Sequence, residues 1–295
     1  VGANGSGKST VLQAIQVLAR RTTWQLDGVR TAGAAADQRA SIQGEFDGES
    51  FGITWRPGVQ GELVQLPGGV REKLHRARLF FSLSPDKIAA PVKLKPGIEL
   101  GQTGENLAGV LERLRDEQPE RFESINQELG RWIPEFDRIL FETPGEGEKA
   151  VALRTRAGGH RIKASDLSGG TLIALALLTL AYLPEPPSIV CLEEPDRGLH
   201  PRLLRDVRDA LYRLAYPENA GEKREPVQVI ATTHNPFFLD LFRDHPEEIV
   251  IAEKVGLEVK FSRLSDRPDL NEILGEAPLS EVWFSGVLGG VPTRA

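Results

Sequence analysis

Gly2-Ala3-Asn4-Gly5-Ser6-Gly7-Lys8-Ser9 fits G-x-x-x-x-G-K-[ST], a spacing in which glycines let backbone N–H groups curl around phosphate oxygens. In such a loop Lys8 reaches the β- and γ-phosphates and the Ser9 hydroxyl is a ligand for magnesium. Three later groups could complete that chemistry. Leu167-Ser168-Gly169-Gly170-Thr171 sets a hydroxyl and bare N–H groups ahead of an apolar run. They serve there either as an ordinary helix cap or as a second anion site at the positive end of a helix dipole. Glu193-Glu194 follows the apolar run Ser188-Ile189-Val190-Cys191-Leu192. Two carboxylates at a strand end allow one to hold magnesium's hydration shell while its neighbour polarises the attacking water. His234 comes just after a further apolar run, Val227 to Ala231. A histidine there is an ordinary loop residue or a ligand sensor, and the order of the preceding motifs is the order one nucleotide-using machine would need.

The elements that must position these groups follow from periodicity. After Ser9, the apolar residues Val11, Leu12, Ile15 and Leu18 predict an amphipathic helix. Thr22 to Arg39 has no firm period and reads as a loop or short helix. Phe51, Ile53 and Trp55 alternate with small or polar residues, and Glu62 to Leu66 follows Pro57-Gly58, a pattern for antiparallel hairpin strands. Leu79 to Leu83 predicts another strand. Leu107, Val110, Leu111 and Leu114 form one helical stripe, and Phe122, Ile125, Leu129 and Trp132 form a second beyond Pro119. Strand-like composition returns from Phe136 to Ile162. The run Leu172 to Leu183 is apolar all round and predicts a buried helix. The chain opens at Val1 directly before the glycine loop, where a complete buried strand is expected, so the reading includes a missing leading strand.

Composition narrows the class. A chain of 295 residues with 40% hydrophobic and 26% charged residues has the balance of a folded globular protein. The net charge of −6 argues against coating nucleic acid through bulk electrostatics, so any DNA contact is expected to be patchy. The longest apolar run, Thr171 to Leu183, falls short of the roughly 20 residues of a membrane span. A single cysteine, Cys191, cannot form an internal disulfide, which suits a reducing cytoplasm.

GANGSGKST, LSGGT, IVCLEEPDRGLHP and VIATTHNPFFL together resemble the ATPases of the RecF-like, SMC-like and OLD-like branch of the ABC-type superfamily. Gly198 to Pro201, Thr232 to Pro236, Gly104 to Leu107 and Trp283 to Gly286 are similar to the stand-alone AAA-type ATPases of that branch, which occur in DNA-repair or phage-defence settings. The fold implied is α/β: a P-loop NTPase of ABC-ATPase type, mainly a parallel core sheet with an antiparallel β subdomain and a helical lid insertion. In chain order this gives a P-loop, first helix and β subdomain over 1–100. A lid with returning strands covers 101–165, and the signature helix, Walker B, switch histidine and last strands cover 166–295. The resemblance implies ATP and Mg2+ as cofactors. It makes Gly2, Asn4, Gly5, Ser6, Gly7, Lys8, Ser9 and Thr10 the Walker A loop and Ser168, Gly169 and Gly170 the signature. Glu193 becomes the Walker B magnesium carboxylate, Glu194 the catalytic glutamate, Asp196 to His200 the D-loop and His234 the γ-phosphate sensor. Ser9, Glu193 and Gln102 are the implied metal ligands. Gln102, just before the lid, is the candidate for the glutamine loop, with an ordinary turn residue as its alternative.

The resemblance further implies a head-to-tail homodimer formed on ATP binding, with DNA or a separate effector protein as a further partner. Two alternatives stand beside this switch. A transporter's nucleotide-binding subunit is disfavoured by the 160 positions between Lys8 and Ser168, long for a compact subunit. A regulatory ATPase acting on a separate nuclease or toxin fits the same motifs. Nuclease activity within the chain is not expected, because Ile249 to Glu253 is followed by no D-x-D, and Glu253 reads as the edge of the last core strands.

Overall fold

The computed structural model describes residues 1–2, 6–20, 40–46, 49–55, 62–63, 72, 74–80, 82–255 and 258–289. Asn4 and Gly5, the stretch Thr22 to Arg39, and Val64 to Leu66 lie outside them. The first helix, α1 (Lys8–Arg20), starts at the P-loop lysine. It buries Leu12 and Leu18, as the spacing predicts, whereas Val11, expected on the same stripe, stands at its edge and is exposed beside Thr10. Strands β1 (Ala40–Phe46), β2 (Glu49–Trp55) and β3 (Glu62–Leu63) pair antiparallel, with Ile53 opposite Ile42 on one side and Leu63 on the other.

Strand β4 (Arg78–Phe80) is shorter than the expected Leu79 to Leu83. Ser82 and Leu83 leave it to reach α2 (Pro85–Ala89), whose first position is the proline that favours a helix start. After β5 (Val92–Lys93), the two apolar stripes become α3 (Leu107–Glu117) and α4 (Pro119–Trp132). They cover a sheet of order β5-β7-β6, made with β6 (Phe136–Glu142) and β7 (Glu148–Thr155), while β8 (Arg161–Lys163) also pairs β7. Polar contacts fix that packing. The buried Asn126 of α4 accepts the Ile139 N–H at 2.7 Å, which satisfies both groups away from water. Glu112 of α3 is buried but paired with Lys149 at 3.1 Å and Arg115 at 3.3 Å, so its charge is compensated.

Helix α5 (Gly169–Ala181) is buried at every position from Thr171 to Ala181, as its unbroken apolar run requires. It stops two residues short of the expected Leu183 because the chain turns out ahead of Pro184, which disfavours helix at the residue before it. The rest of the chain contributes β9 (Ile189–Glu193), α6 (Leu204–Ala215), β10 (Gln228–Thr232) and α7 (Pro236–Asp240). It ends with β11 (Val250–Val255), β12 (Glu258–Arg263), α8 (Leu270–Glu276) and α9 (Leu279–Phe284). No described helix is long and apolar enough to cross a membrane.

These elements gather into two compact units. One comprises Val1–Leu79, Pro187–Cys191 and Phe242–Ala295; the other comprises Phe80–Pro186 and Leu192–Leu241. The units interleave along the chain. Within the first unit the Val1 nitrogen donates to the Val250 carbonyl and the Ala252 N–H donates to the Val1 carbonyl, both at 2.7 Å. That alternation is the bonding pattern of a parallel ladder, and it sets the entrance to the P-loop beside β11. On its other edge β11 pairs antiparallel with β12, where Glu253 stands opposite Lys260.

Candidate functional site

In the first unit the P-loop backbone is shaped by close approach. Gly2 has φ +155°, and a Cβ there would sit 2.3 Å from the Ala252 carbonyl oxygen. Gly7 has φ +80° and would drive a Cβ against the Val259 side chain at 3.0 Å, so both positions require glycine. The Gly7 carbonyl accepts the Val11 N–H at 3.2 Å, which opens α1 directly behind the loop. Lys8 Nζ turns back over the loop, donating to the Gly2 carbonyl at 2.5 Å and to the buried Ser6 hydroxyl at 3.4 Å. Ser9 and Thr10 follow in the first turn, the former half-buried and the latter exposed. No acidic residue stands in that turn, so none within it opposes the positive end of the helix dipole. The donors of this loop fit a nucleotide's phosphates, and the Ser9 hydroxyl is an oxygen ligand of the hard type that magnesium prefers.

The second unit holds the other groups. Glu193 ends β9 and is half-buried. Glu194, the next residue, has φ +47°, a left-handed conformation that costs a non-glycine residue about 1–2 kcal/mol. Its N–H is held by the Thr232 carbonyl at 3.0 Å, with the Thr232 hydroxyl at 3.3 Å, and this anchor at the end of β10 offsets the strain. The turned backbone brings the Glu194 carboxylate to His234: Nδ1–H donates to Oε1 at 2.6 Å. Between them in sequence lies Asp196, only 6% exposed. Its Oδ2 accepts the Thr233 hydroxyl at 3.0 Å, and Thr233 Oγ1 in turn accepts the Asn235 N–H at 2.9 Å. Burial pushes the Asp196 carboxyl pKa up.

Ser168 is the N-cap of α5, its hydroxyl accepting the Thr171 N–H at 3.1 Å and lying 2.8 Å from Thr171 Oγ1. Gly170 packs against the D-loop backbone, since a Cβ there would meet the Gly198 carbonyl oxygen at 2.9 Å. Ser168, Gly169, Gly170, Glu194, Arg197 and His200 share the wall of one cleft of about 920 Å3. Gln102 does not line it. It lies in the turn before α3, where the Gly101 N–H donates to the Glu105 carbonyl at 2.8 Å and the Thr103 N–H donates to Glu105 Oε2 at 2.8 Å.

Sequence reasoning missed Thr232 as the anchor of Glu194, the bond from Thr233 to the buried Asp196, and the one by which the Arg197 guanidinium donates to the Ser82 hydroxyl at 3.3 Å. A signal was present in the Thr232-Thr233 pair, two hydroxyls placed where a strand ends and its carbonyls need new partners.

With this geometry in place, comparison with known proteins is informative. The family model described as "AAA domain, putative AbiEii toxin, Type IV TA system" matches residues 1–126 and 106–240. No curated protein sequence matches the chain. Among solved structures, an SmcHead bound to the C-winged helix domain of ScpA superposes with TM-score 0.58 at 15% identity, covering 88% of this chain and 87% of that one. A second structure, from work on ATP-driven dimerisation and DNA-stimulated activation of SMC ATPases, covers 63% of this chain and 99% of that chain at 15% identity, with a TM-score of 0.41. The first likeness establishes the fold, a P-loop NTPase of the SMC-head type. With the P-loop, the strand-end carboxylates and a family match over most of its length, the chain belongs to this AAA-domain family and is an ATP-hydrolysing P-loop enzyme with the fold of an SMC head.

Proposed function

We propose that the chain is an ATP-driven switch, in which nucleotide binding closes two copies head to tail and hydrolysis reopens them. The Glu194–His234 pair at 2.6 Å carries this reading, because it joins a proton acceptor and an imidazole at the ends of two strands. Magnesium, when bound, would draw charge off the phosphates, held by the Ser9 hydroxyl and, through water, by Glu193. Lys8 and the P-loop N–H groups grip the phosphates. Glu194 takes the proton of the attacking water, while the histidine fixes its carboxylate and senses the γ-phosphate. Ser168 and the N-terminus of α5 close over the nucleotide of a second copy, so that each site draws on two chains.

Glu194→Gln keeps the side chain's shape and removes its ability to accept a proton. It should retain ATP binding, stall hydrolysis by about 100-fold or more and accumulate dimers. Wild-type turnover in this variant rejects the assignment. Mixing Ser168→Arg with Lys8→Ala chains should assemble some dimers with one intact composite site. Failure to recover either hydrolysis or ATP-dependent pairing, when wild type shows both, rejects the head-to-tail arrangement.

The cellular setting proposed is DNA repair or phage defence in the cytoplasm. The matched family's name includes a toxin of a toxin–antitoxin system, which favours a second reading: an ATPase that gates a separate nuclease or toxin effector. Co-purification of such an effector with the Glu194→Gln protein, and its release from wild type after hydrolysis, would separate this from action on DNA alone.

A further inference from the structure

We propose that Asp196 is a positioning residue for ATP hydrolysis, acting through Thr233 to hold the His234 imidazole on the Glu194 carboxylate. The inference rests on the catalytic reading of Glu194 and His234 and extends it to a buried residue beside them. Three ties join the two strand ends. Thr232 accepts the Glu194 N–H, Thr233 donates to Asp196, and His234 donates to Glu194. The first fixes the backbone and the third is the reacting pair. Only the second is made wholly behind the site, between side chains that are 6% and 7% exposed.

Its geometry is that of a brace. Asp196 Oδ2 takes the Thr233 hydroxyl proton, which leaves that oxygen's lone pair for the Asn235 N–H, so the residues on either side of His234 are both pinned. Asn235 adds its own side chain as the cap of α7, accepting the Phe237 N–H at 3.0 Å. His234 therefore sits on a three-residue bridge fixed at both piers, while its ring is half exposed and would otherwise be free to turn. Burial raises the cost of leaving the Asp196 carboxyl without partners, and the Thr233 hydroxyl supplies one. The same loop touches α5, since Gly198 abuts Gly170. Asp196 thus ties the histidine's placement to the loop that also meets the signature serine's helix.

The test uses steady-state ATP hydrolysis by the full chain, with the unfolding midpoint of each variant measured alongside. Thr233→Val removes the hydroxyl and should lower kcat about tenfold with KM for ATP within about twofold, because the phosphate grip is untouched and only the alignment is lost. Thr233→Ser should restore kcat to within about twofold. Asp196→Ala should match Thr233→Val, and Asp196→Asn, which keeps an oxygen acceptor, should stay within about threefold of wild type. His234→Ala should be slow by itself, and adding Thr233→Val to it should cost less than about twofold more. Multiplicative losses in that double variant, or a Thr233→Val enzyme with wild-type kcat, overturn the brace. If His234→Ala turns over at the wild-type rate, the reading of the histidine fails and takes the brace with it. That pattern differs from a slow His234→Ala beside a normal Thr233→Val, which sinks the brace alone.

Discussion

Two helices of 13 residues, α1 and α5, each begin at a glycine-rich loop with a serine, and they solve the problem of a helix N-terminus differently. At α1 a cation is supplied: Lys8 lies back on the Gly2 carbonyl and the Ser6 hydroxyl, and no acidic side chain in the first turn competes with an arriving anion. At α5 the helix caps itself, with the Ser168 hydroxyl already accepting the Thr171 N–H, and no basic or acidic residue stands in its first turn. The bodies of the helices differ in the same sense. α1 is two-faced, whereas α5 is buried from Thr171 to Ala181. A charged loop on a two-faced helix is built for tight, specific binding of phosphate. A self-capped loop on a buried helix is, in the proposed switch, a surface that adds a contact only after something else has brought the anion to it.

The sharpest way to break this comparison is to remove the cation. Lys8→Ala should weaken ATP binding by about 100-fold or more, measured calorimetrically, while Ser168→Ala should leave the affinity of the isolated chain within about twofold. Equal losses would mean that both helix starts bind nucleotide in the same chain. Next in size is the rigidity of the α5 start. Gly170→Ala places a methyl 2.9 Å from the Gly198 carbonyl oxygen, backbone that cannot swing aside, and should cost about 2 kcal/mol in denaturant unfolding.

A pH experiment reads the packing of β9, which delivers the carboxylates. Burial pushes the Cys191 thiol up from 9.0 to about 12. Because the folded pKa is the higher one, its stabilisation is complete below pH 9 and is lost as pH rises from there toward 12. Between pH 9 and 10 wild type should lose about 1 kcal/mol relative to Cys191→Ala, by parallel denaturation curves. A constant difference would show that the thiol ionises freely in the fold. The smallest effect is the cap: Ser168→Ala should cost about 1 kcal/mol, lowering the unfolding midpoint by roughly 2 °C. No change would imply that the Thr171 N–H finds another partner.

Much of the local structure was legible before folding was considered. Helix α1 begins at Lys8, the stripes at Leu107 and Phe122 became α3 and α4, and the all-apolar run became α5, because helical period and burial are written into neighbours three and four apart. The glycine loop and the strand-end acids were legible for the same reason: each is a short, contiguous device whose chemistry depends on spacing along the backbone. The boundaries were less so, as at β4, which ends by Phe80 where the apolar run continues to Leu83. Leu83 is spent instead on the approach to α2, a choice no local pattern records.

Tertiary structure alone decided which distant groups meet. Glu194 and His234 are 40 positions apart, Asp196 and Thr233 are 37 apart, and Asn126 finds the Ile139 N–H across the turn from α4 into β6. Nothing in the periodicity of either partner specifies such a pair, since hydrogen bonds between strand ends are set by the register in which the strands associate. The positive φ at Glu194 is the clearest case. Its residue type argues against that conformation, and only the anchors from Thr232 hold it there. The sequence by itself therefore determined what chemistry this protein carries and on which elements. The depth of Asp196, the turn at Glu194 and the brace behind His234 came from long-range packing, because their energies depend on partners that the chain brings together only when folded.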